Sequence, residues 1–304
     1  MQAVDIYDSL SISARSDSRI QLTCQWSAGL NAQAKINDQH ITTEITTASE
    51  SASCETKSNG PSTTSVEPVF GVLPQGADNI VLRTLERLRV RAGIESGADV
   101  RIVKRIPAAA GLGGASSNAA AALVAANEVW RLGWPTQQLK EVAAEIGSDI
   151  PFFLDCGQLG PGSAVCRGRG EKIELVRGMP TWQYVVVRPP IGLSTPQVYR
   201  RCRPATQPKQ VQPLIEAAQT GDMSKLRRCL HNALQPAATE LSPWIERLQR
   251  EFNRMEFVAH QMSGSGSSYF GICRNARQAR RFANQLRSAG VGAVYCASTV
   301  PSPR

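Results

Sequence analysis

Glycine, serine and alanine are concentrated between residues 107 and 123, in the run PAAAGLGGASSNAAAAL. Three glycines in this run let the backbone adopt conformations closed to residues with a Cβ, so its N–H groups can approach a ligand closely. The alanines predict a helix from Ser117 to Leu132 that packs close to a sheet, with capping side chains at 116–118. Because a helix N-terminus carries unsatisfied N–H groups and a positive partial charge, the run predicts a phosphate site. A plain strand-to-helix turn with a serine cap is the alternative.

Two common phosphate-binding motifs do not fit this run. The G-x-x-x-x-G-K-S/T loop needs a lysine that is absent between Gly111 and Asn118. The dinucleotide fingerprint G-x-G-x-x-G needs a third glycine where this chain has Ser116. The predicted phosphate site therefore belongs to a different class.

Two further segments carry residues suited to chemistry. Asp149 lies in GSDIPFFL, where an aspartate can serve as a proton acceptor or simply as a turn or cap residue. A second glycine-rich run, SGSGSSYFGIC, follows the predicted strand 257–262 and is either a ligand loop or an ordinary hairpin turn.

The elements that must position these residues follow from the periodicity of the sequence. Residues 8–26 alternate in register and predict a β-hairpin, and TWQYVVVRP (181–189) predicts a buried strand. Helices are predicted after a cap at Asp78 or Asn79, after Thr136 as a cap, and around 210–218, 223–234 and 243–255. The Ser-, Thr- and Glu-rich segment 44–68 predicts a surface insertion.

Composition narrows the function classes. The chain has 304 residues and a net charge of +9, and no window approaches a membrane span or a signal peptide, which predicts a cytoplasmic protein without membrane contact. Its basic clusters lack interleaved aromatic residues, which argues against a nucleic-acid partner. The eight cysteines include no C-x-x-C pair, which argues against a zinc site or disulfide framework and predicts buried free thiols.

The first glycine run resembles the ATP loop of the GHMP kinases, such as galactokinase, homoserine kinase and mevalonate kinase, whose pattern is P-x-x-x-G-L-G-(G/S)-(S/G/A)-S followed by a small-residue helix. MSGSGSSYFGIC (262–273) resembles the third motif of the same superfamily. Six further segments, in the right order, resemble one narrower family, the 4-diphosphocytidyl-2-C-methyl-D-erythritol kinases. They are MQAVDIYDSLSI (1–12), DNIVLRTLERL (78–88), GSDIPFFL (147–154), RGRGEKI (167–173), STPQVYR (194–200) and LHNALQPAA (230–238).

The resemblance implies an α+β, two-domain GHMP kinase fold, with a ribosomal-S5-like ATP-binding domain at residues 1–160 and a ferredoxin-like domain at 161–304. It implies transfer of the ATP γ-phosphoryl group to the 2-hydroxyl of 4-diphosphocytidyl-2-C-methyl-D-erythritol, in non-mevalonate isoprenoid biosynthesis. The implied cofactors are ATP and Mg²⁺, the implied partner is this small-molecule substrate, and the chain is expected to be a monomer or homodimer.

The resemblance also assigns residue roles. Asp149 matches the catalytic aspartate beside the substrate hydroxyl, Ser117 is the candidate Mg²⁺ contact, and Tyr199 matches an aromatic residue that stacks on cytosine. The expected substrate loop comprises Gly264, Ser265, Gly266 and Ser267. The expected ATP loop comprises Pro107, Ala108, Ala109, Ala110, Gly111, Leu112, Gly113, Gly114, Ala115, Ser116 and Ser117. His40, His231 and His260 have no partners at catalytic or metal-ligand spacing and are expected to be structural.

The N-terminus departs from the family pattern. Members begin with a P-A-K-x-N-L strand that carries a catalytic lysine and then an R-x-D-G-(Y/F)-H segment, and this chain has neither. We expect that Met1 is an internal methionine and that the missing strand leaves an unpaired sheet edge. The alternatives are a catalytically impaired nucleotide-binding or CDP-ligand-binding protein, or another GHMP enzyme such as homoserine kinase.

Overall fold

A computed structural model of the chain describes residues 1–28, 70, 73–74, 76–156 and 160–300. The predicted insertion at 44–68 lies outside the described residues, and so do His40 and Cys54. In the described part of the chain the cysteines are free, but only Cys156 and Cys273 are buried, so the prediction of buried thiols holds for two of them.

The N-terminal sheet has three strands, β1 (Ser9–Arg15), β2 (Ile20–Trp26) and β3 (Gly97–Lys104). Their order is β1–β3–β2, with β1 antiparallel and β2 parallel to the central β3. Within the described residues, β1 pairs with β3 alone, so its outer edge is unpaired as predicted. Apolar residues alternate along β2 as the sequence indicates.

The predicted hairpin of β1 and β2 is wrong, because β3 lies between them. Gly97 starts β3 inside the turn that joins the other two strands, where a Cβ would overlap the carbonyl oxygens of Asp17 and Arg19. Alternation reports which face of a strand is buried, but it does not report which strand is the neighbour.

Four helices share a hydrophobic core with this sheet: α1 (Ile80–Ala92), α2 (Gly114–Val129), α3 (Thr136–Ile146) and α4 (Ile150–Asp155). Helices α1 and α2 contact its strands, and α3 and α4 pack against these two helices. The predicted cap of α1 is confirmed, since Asn79 Oδ1 accepts the Val81 N–H at 2.9 Å. Helix α2 begins three residues earlier than predicted. Its N-cap is Gly113, in the left-handed conformation, so residues 116–118 lie inside the helix and do not cap it. Thr136 likewise is the first residue of α3, after Pro135 at the N-cap.

The C-terminal sheet has four antiparallel strands in the order β7–β8–β6–β9: β6 (Gln183–Arg188), β7 (Ala259–Met262), β8 (Tyr269–Cys273) and β9 (Ala293–Ser298). Strand β6 is buried on both faces, as its β-branched run predicted: Val185 and Val187 join one core cluster, Tyr184 and Val186 the other. The order and the packing of helices on the sheet are ferredoxin-like.

The remaining elements are β4 (Ala164–Arg167), β5 (Lys172–Leu175), α5 (Thr195–Arg201), α6 (Gln212–Thr220), α7 (Met223–Cys229), α8 (Gln235–Leu241), α9 (Pro243–Asn253) and α10 (Ala276–Ser288). Strands β4 and β5 form an antiparallel hairpin. The helix predicted around 223–234 is confirmed from Met223 to Cys229 but ends earlier than predicted, and α8 starts at Gln235. Pro236 lies in the first turn of α8, where its missing N–H leaves no hydrogen bond unmade, whereas inside one continuous helix it would remove one.

The first residues of the chain pair with segments from the C-terminal half of the sequence. Gln2 forms a β-bridge with Ser163, and Val4 forms one with Thr299 at the end of β9. The division into residues 1–160 and 161–304 stays a prediction. In the part of the chain described, no helix is long and apolar enough to cross a membrane.

A buried ion pair joins the start of β1 to the end of β3. Lys104 Nζ donates to Asp8, and the two side chains are only 6% and 3% exposed. The Asp8 carboxylate also accepts the N–H groups of Arg105 and Ile106 at 2.6 and 2.9 Å. This single carboxylate therefore fixes the chain just before the first glycine loop.

We expect the Asp8→Ala variant to lose about 3–5 kcal/mol in its free energy of unfolding, because it leaves a buried ammonium without its partner. An Asp8→Leu/Lys104→Met double variant should lose less, since no buried charge remains. Urea unfolding measures both. The matched control is Glu174→Ala, which breaks an exposed pair with Arg167 and should cost under about 1 kcal/mol. Equal losses for Asp8→Ala and the control would contradict this account.

Candidate active site

The first glycine loop, residues 107–113, connects β3 to the N-terminus of α2. Ala109, Gly111 and Gly113 have positive φ values of 49°, 67° and 67°. The left-handed conformation costs an alanine about 1 kcal/mol, so the neighbouring structure must hold the loop in this shape. The loop leads directly into the first turn of α2, where the sequence predicts an anion site.

Close packing fixes the N-terminus of α2. A Cβ on Gly113 would lie 2.8 Å from Cζ of Phe153 in α4, and one on Gly114 would lie 2.7 Å from Ile106 and 3.3 Å from Lys104 Nζ. The Lys104 ammonium therefore lies beside the first residue of α2, although Asp8 already pairs with it. Ser117 Oγ donates to Gly114 O at 3.0 Å within the first turn.

The second glycine loop, residues 263–268, connects β7 to β8 and contacts the first loop directly. Ser263 Oγ donates to Gly111 O at 2.8 Å, and the Ser268 N–H donates to Ala110 O at 3.1 Å. A Cβ on Gly111 would overlap Ser263 O and lie 2.8 Å from Gly266 O. The two runs that the sequence singled out, about 150 residues apart, are thus in van der Waals contact.

Two serines of the second loop are buried without hydroxyl partners. Ser267 and Ser268 have no exposed surface, and their Oγ atoms have no hydrogen-bond partner among the described residues. Ser267, which was assigned to substrate contact, therefore does not face the solvent in this structure. Gly264 and Ser265 are more accessible, and Ser265 Oγ lies 2.8 Å from Thr195 Oγ1 at the start of α5.

Asp149 precedes α4 and makes no capping hydrogen bond to it, so the simple cap interpretation does not apply. Its carboxylate packs against the β4–β5 turn, where a Cβ on Gly170 would lie 3.3 Å from Oδ1. The pKa of Asp149 is raised above its ordinary value because the surrounding protein desolvates the carboxylate. The N-terminal ammonium and a hydrogen bond with Ser148 oppose this rise in pKa.

Tyr199 lies in α5 with 61% of its surface exposed. It follows Thr195 by four residues, so both side chains lie on the same face of the helix. Because Thr195 contacts the second glycine loop, Tyr199 presents a free aromatic ring on the helix that borders this loop.

Sequence reasoning missed several residues that shape the site. Lys104 and Asp8 form an ion pair across 96 positions, and Asn232 binds the second loop from the turn between α7 and α8. Gly170, within RGRGEKI, has a positive φ of 128°, and the signal for this conformation in the sequence was the glycine itself. His231 and His260 were expected to be structural, and His260 Nδ1 indeed lies 3.1 Å from the Tyr269 hydroxyl in the C-terminal core.

Comparison with known proteins gives two family-model matches. Residues 79–157 match the GHMP kinases N terminal domain, and residues 214–292 match the GHMP kinases C terminal domain. The first match contains α2 and Asp149, and the second match contains the second glycine loop.

The chain also matches individual proteins. It is 40% identical over 217 residues to the 4-diphosphocytidyl-2-C-methyl-D-erythritol kinase of Pelotomaculum thermopropionicum, which covers 71% of this chain and 74% of the relative. It is 31% identical to that of Alkaliphilus metalliredigens over 287 residues, 92% of this chain and 80% of the relative.

Among solved structures, a 4-(cytidine 5'-diphospho)-2C-methyl-D-erythritol kinase superposes with a TM-score of 0.66 at 24% identity, over 97% of this chain and 87% of the other. A homoserine kinase from Cytophaga hutchinsonii superposes with the same TM-score at 17% identity, over 99% and 88%. The likeness in fold is therefore equal for two enzymes with different acceptors.

We expect Gly111→Ala to weaken ADP binding at least tenfold, because the added methyl group must push the two loops apart. Titration calorimetry with ADP measures this. Gly133→Ala is the matched control, since Gly133 has a φ of 65° but no atom within 4 Å of the added Cβ. Both variants pay the cost of a strained backbone, and only Gly111→Ala should lose affinity. Equal ADP affinities would show that the loop contact does not matter for binding.

Proposed function

The chain belongs to the 4-diphosphocytidyl-2-C-methyl-D-erythritol kinase family of the GHMP kinases, and we propose that it transfers the γ-phosphoryl group of ATP to the 2-hydroxyl of 4-diphosphocytidyl-2-C-methyl-D-erythritol. Membership makes it a small-molecule kinase that uses ATP. The observation that carries the proposal is the junction of the two glycine loops beside the N-terminus of α2. This junction joins a phosphate site to a loop from the other sheet.

Phosphoryl transfer depends on positioning and on electrostatic stabilisation, because the transition state spreads charge over the transferred group. In our proposal, residues 107–117 bind the ATP phosphates through backbone N–H groups and the dipole of α2. A buried, preorganised set of donors stabilises developing charge without having to reorganise during the reaction. The hydrogen bonds from the second glycine loop hold these donors in place.

Asp149 accepts the proton of the substrate hydroxyl or orients it for attack. Three features support this role: it makes no cap hydrogen bond, its carboxylate is partly desolvated, and it precedes α4, whose Phe153 packs on Gly113. A desolvated carboxylate with a raised pKa is a better proton acceptor than a fully hydrated one.

The site also fits a magnesium ion. Mg²⁺ prefers oxygen ligands and is usually bound through one or two protein groups together with substrate phosphates and water. Ser117 supplies a hydroxyl oxygen in the first turn of α2, and its donation to Gly114 O leaves lone pairs for a cation. A bound Mg²⁺ would neutralise charge on the ATP phosphates, with Ser117 as the protein ligand that we propose.

For the acceptor, we propose that Tyr199 stacks on the cytosine ring, which is worth about 1–3 kcal/mol per base. Its exposed ring and its neighbour Thr195, in contact with Ser265, place it at the rim of the second loop. Gly264, Ser265, Gly266 and Ser267 are the proposed acceptor loop, although Ser267 must become accessible to touch a ligand. We also propose that the enzyme is cytoplasmic, and its state as monomer or homodimer stays a prediction.

The test is an assay of ADP release with Mg-ATP and one of three acceptors: the cytidine-linked substrate, homoserine or mevalonate. We expect turnover with the first acceptor alone. Asp149→Asn should lower kcat by about 10²–10⁴-fold because it removes the proton acceptor. Asp155→Asn, at the other end of α4, is the control and should keep near wild-type activity, since Asp155 pairs with Lys140 outside the proposed site. Turnover of homoserine, or full activity of Asp149→Asn, would refute the proposal.

The same assay addresses the rival of a catalytically impaired binding protein. It is run on the 304-residue chain and on any form with an in-frame upstream P-A-K-x-N segment. Binding of ATP and CDP by both forms, with turnover by neither, would favour the rival.

The raised pKa of Asp149 gives a linked prediction of stability and pH dependence. Its desolvated carboxylate destabilises the folded state at pH values above the ordinary aspartate pKa of about 4, and this cost disappears when the group is protonated. Asp149→Asn should therefore unfold at an equal or higher temperature than wild type at pH 7, without this advantage below about pH 4. The acid limb of kcat/KM in the wild type should have its midpoint above the ordinary pKa of an aspartate, because the pKa of Asp149 is raised by desolvation. A less stable Asp149→Asn protein at pH 7 would contradict this.

A further inference from the structure

Two amide side chains from outside the second glycine loop form hydrogen bonds with the backbone at its start. Asn232 Nδ2 donates to Met262 O at 2.9 Å and to Gly264 O at 2.8 Å, while its Oδ1 accepts the Leu234 N–H at 2.9 Å. Gln235 Oε1 accepts the Met262 N–H at 2.9 Å. Asn232 lies in the turn between α7 and α8, and Gln235 is the first residue of α8, so neither belongs to a glycine loop.

The residue type at position 232 is dictated by these contacts. A carboxamide offers two N–H donors and one acceptor oxygen in a single plane, and Asn232 uses all of them. Aspartate would keep the bond from Leu234 but would place a carboxylate against two carbonyl oxygens. Alanine would leave Met262 O and Gly264 O without their donor.

The second loop in turn orients peptide groups of the first loop through two hydrogen bonds. Ser263 and Ser268 donate to the carbonyl oxygens of Gly111 and Ala110. In a trans peptide the C=O and the following N–H point in opposite directions within one plane. Fixing these two carbonyls therefore directs the N–H groups of Gly111 and Leu112 away from the second loop, in fixed orientations.

We propose that Asn232 is a positioning residue for nucleotide binding, which acts through the second glycine loop on the backbone N–H groups of the ATP loop. The proposal rests on the proposed function only in identifying the ligand as an adenine nucleotide. Asn232 itself contacts no phosphate. Its amide fixes the conformation of a loop whose own residues, chiefly glycine and serine, have few packing side chains.

The first test is ADP binding by titration calorimetry together with the KM for ATP. We expect Asn232→Ala to raise both the Kd for ADP and the KM for ATP about tenfold, and Asn232→Asp to raise them at least as much. The kcat at saturating ATP should change less than the KM, because the loops can still close on a bound nucleotide.

Asn275→Ala is the matched control. Asn275 caps α10 by accepting the Gln278 N–H at 2.9 Å, and loss of such a cap costs about 1 kcal/mol of stability. It follows the C-terminal end of β8, whereas the second loop precedes the N-terminal end. The control variant should keep the wild-type Kd for ADP. An equal Kd for Asn232→Ala and Asn275→Ala would overturn the proposal.

A double variant tests whether Asn232 acts through the contact that Ser263 makes between the loops. Ser263→Ala removes only the hydroxyl contact between the loops and should raise the Kd for ADP severalfold. If Asn232 acts through this contact, the two substitutions remove the same interaction. The increase in the Kd for ADP in the Asn232→Ala/Ser263→Ala double variant should then be much smaller than the product of the increases in the two single variants. If the two increases in Kd simply multiply, Asn232 does not act through the Ser263 contact.

Should Asn232→Ala fail to fold, Asn232→Asp and Ser263→Ala provide the same comparison with smaller changes. The ADP-binding test does not depend on which acceptor is phosphorylated. Loss of ADP affinity in an Asn232 variant supports the positioning role even if no acceptor is phosphorylated. Turnover of the cytidine-linked substrate with unchanged ADP affinity in these variants would refute the positioning role alone.

Discussion

The close contact between the two glycine loops at Gly111 is the constraint on which the rest of the structure depends. The N-terminal sheet presents one loop at the end of β3, and the C-terminal sheet presents the other between β7 and β8. The backbones approach so closely that a methyl group on Gly111 would overlap Ser263 O. The phosphate site that we propose therefore depends on loops from both sheets.

Loops built from glycine, alanine and serine have few side chains with which to specify their own shape. Polar residues outside the loops supply this specification at both ends. Asp8 binds Lys104 and two backbone N–H groups just before the first loop, and Asn232 binds two carbonyls of the second. The hydrogen bonds from Ser263 and Ser268 then join the loops to each other. Networks of polar groups specify a unique arrangement when every partner is satisfied.

Several features of the site cost stability. The Asp149 carboxylate is desolvated, Ala109 has a left-handed conformation, and the buried hydroxyls of Ser267 and Ser268 find no hydrogen-bond partner among the residues that the structure describes. Each of these is unfavourable by itself. They cluster around the proposed phosphate and acceptor sites, as expected where a protein retains strained or desolvated groups for binding and proton transfer.

The sequence by itself determined the local features: both glycine loops, the Asn79 cap, the buried strand β6 and the α+β class. Each depends on residues close together in the chain, and the kinase family follows from motifs of the same kind. Only the tertiary structure decided that β3 separates β1 from β2, that α2 starts at Gly114, and that Asp8 and Asn232 hold the loops. Those outcomes depend on contacts between distant residues, whose free energies a local pattern does not contain. Gly111 illustrates the difference. The sequence shows a glycine at this position, but only the tertiary structure shows that Ser263 O leaves no room for a side chain.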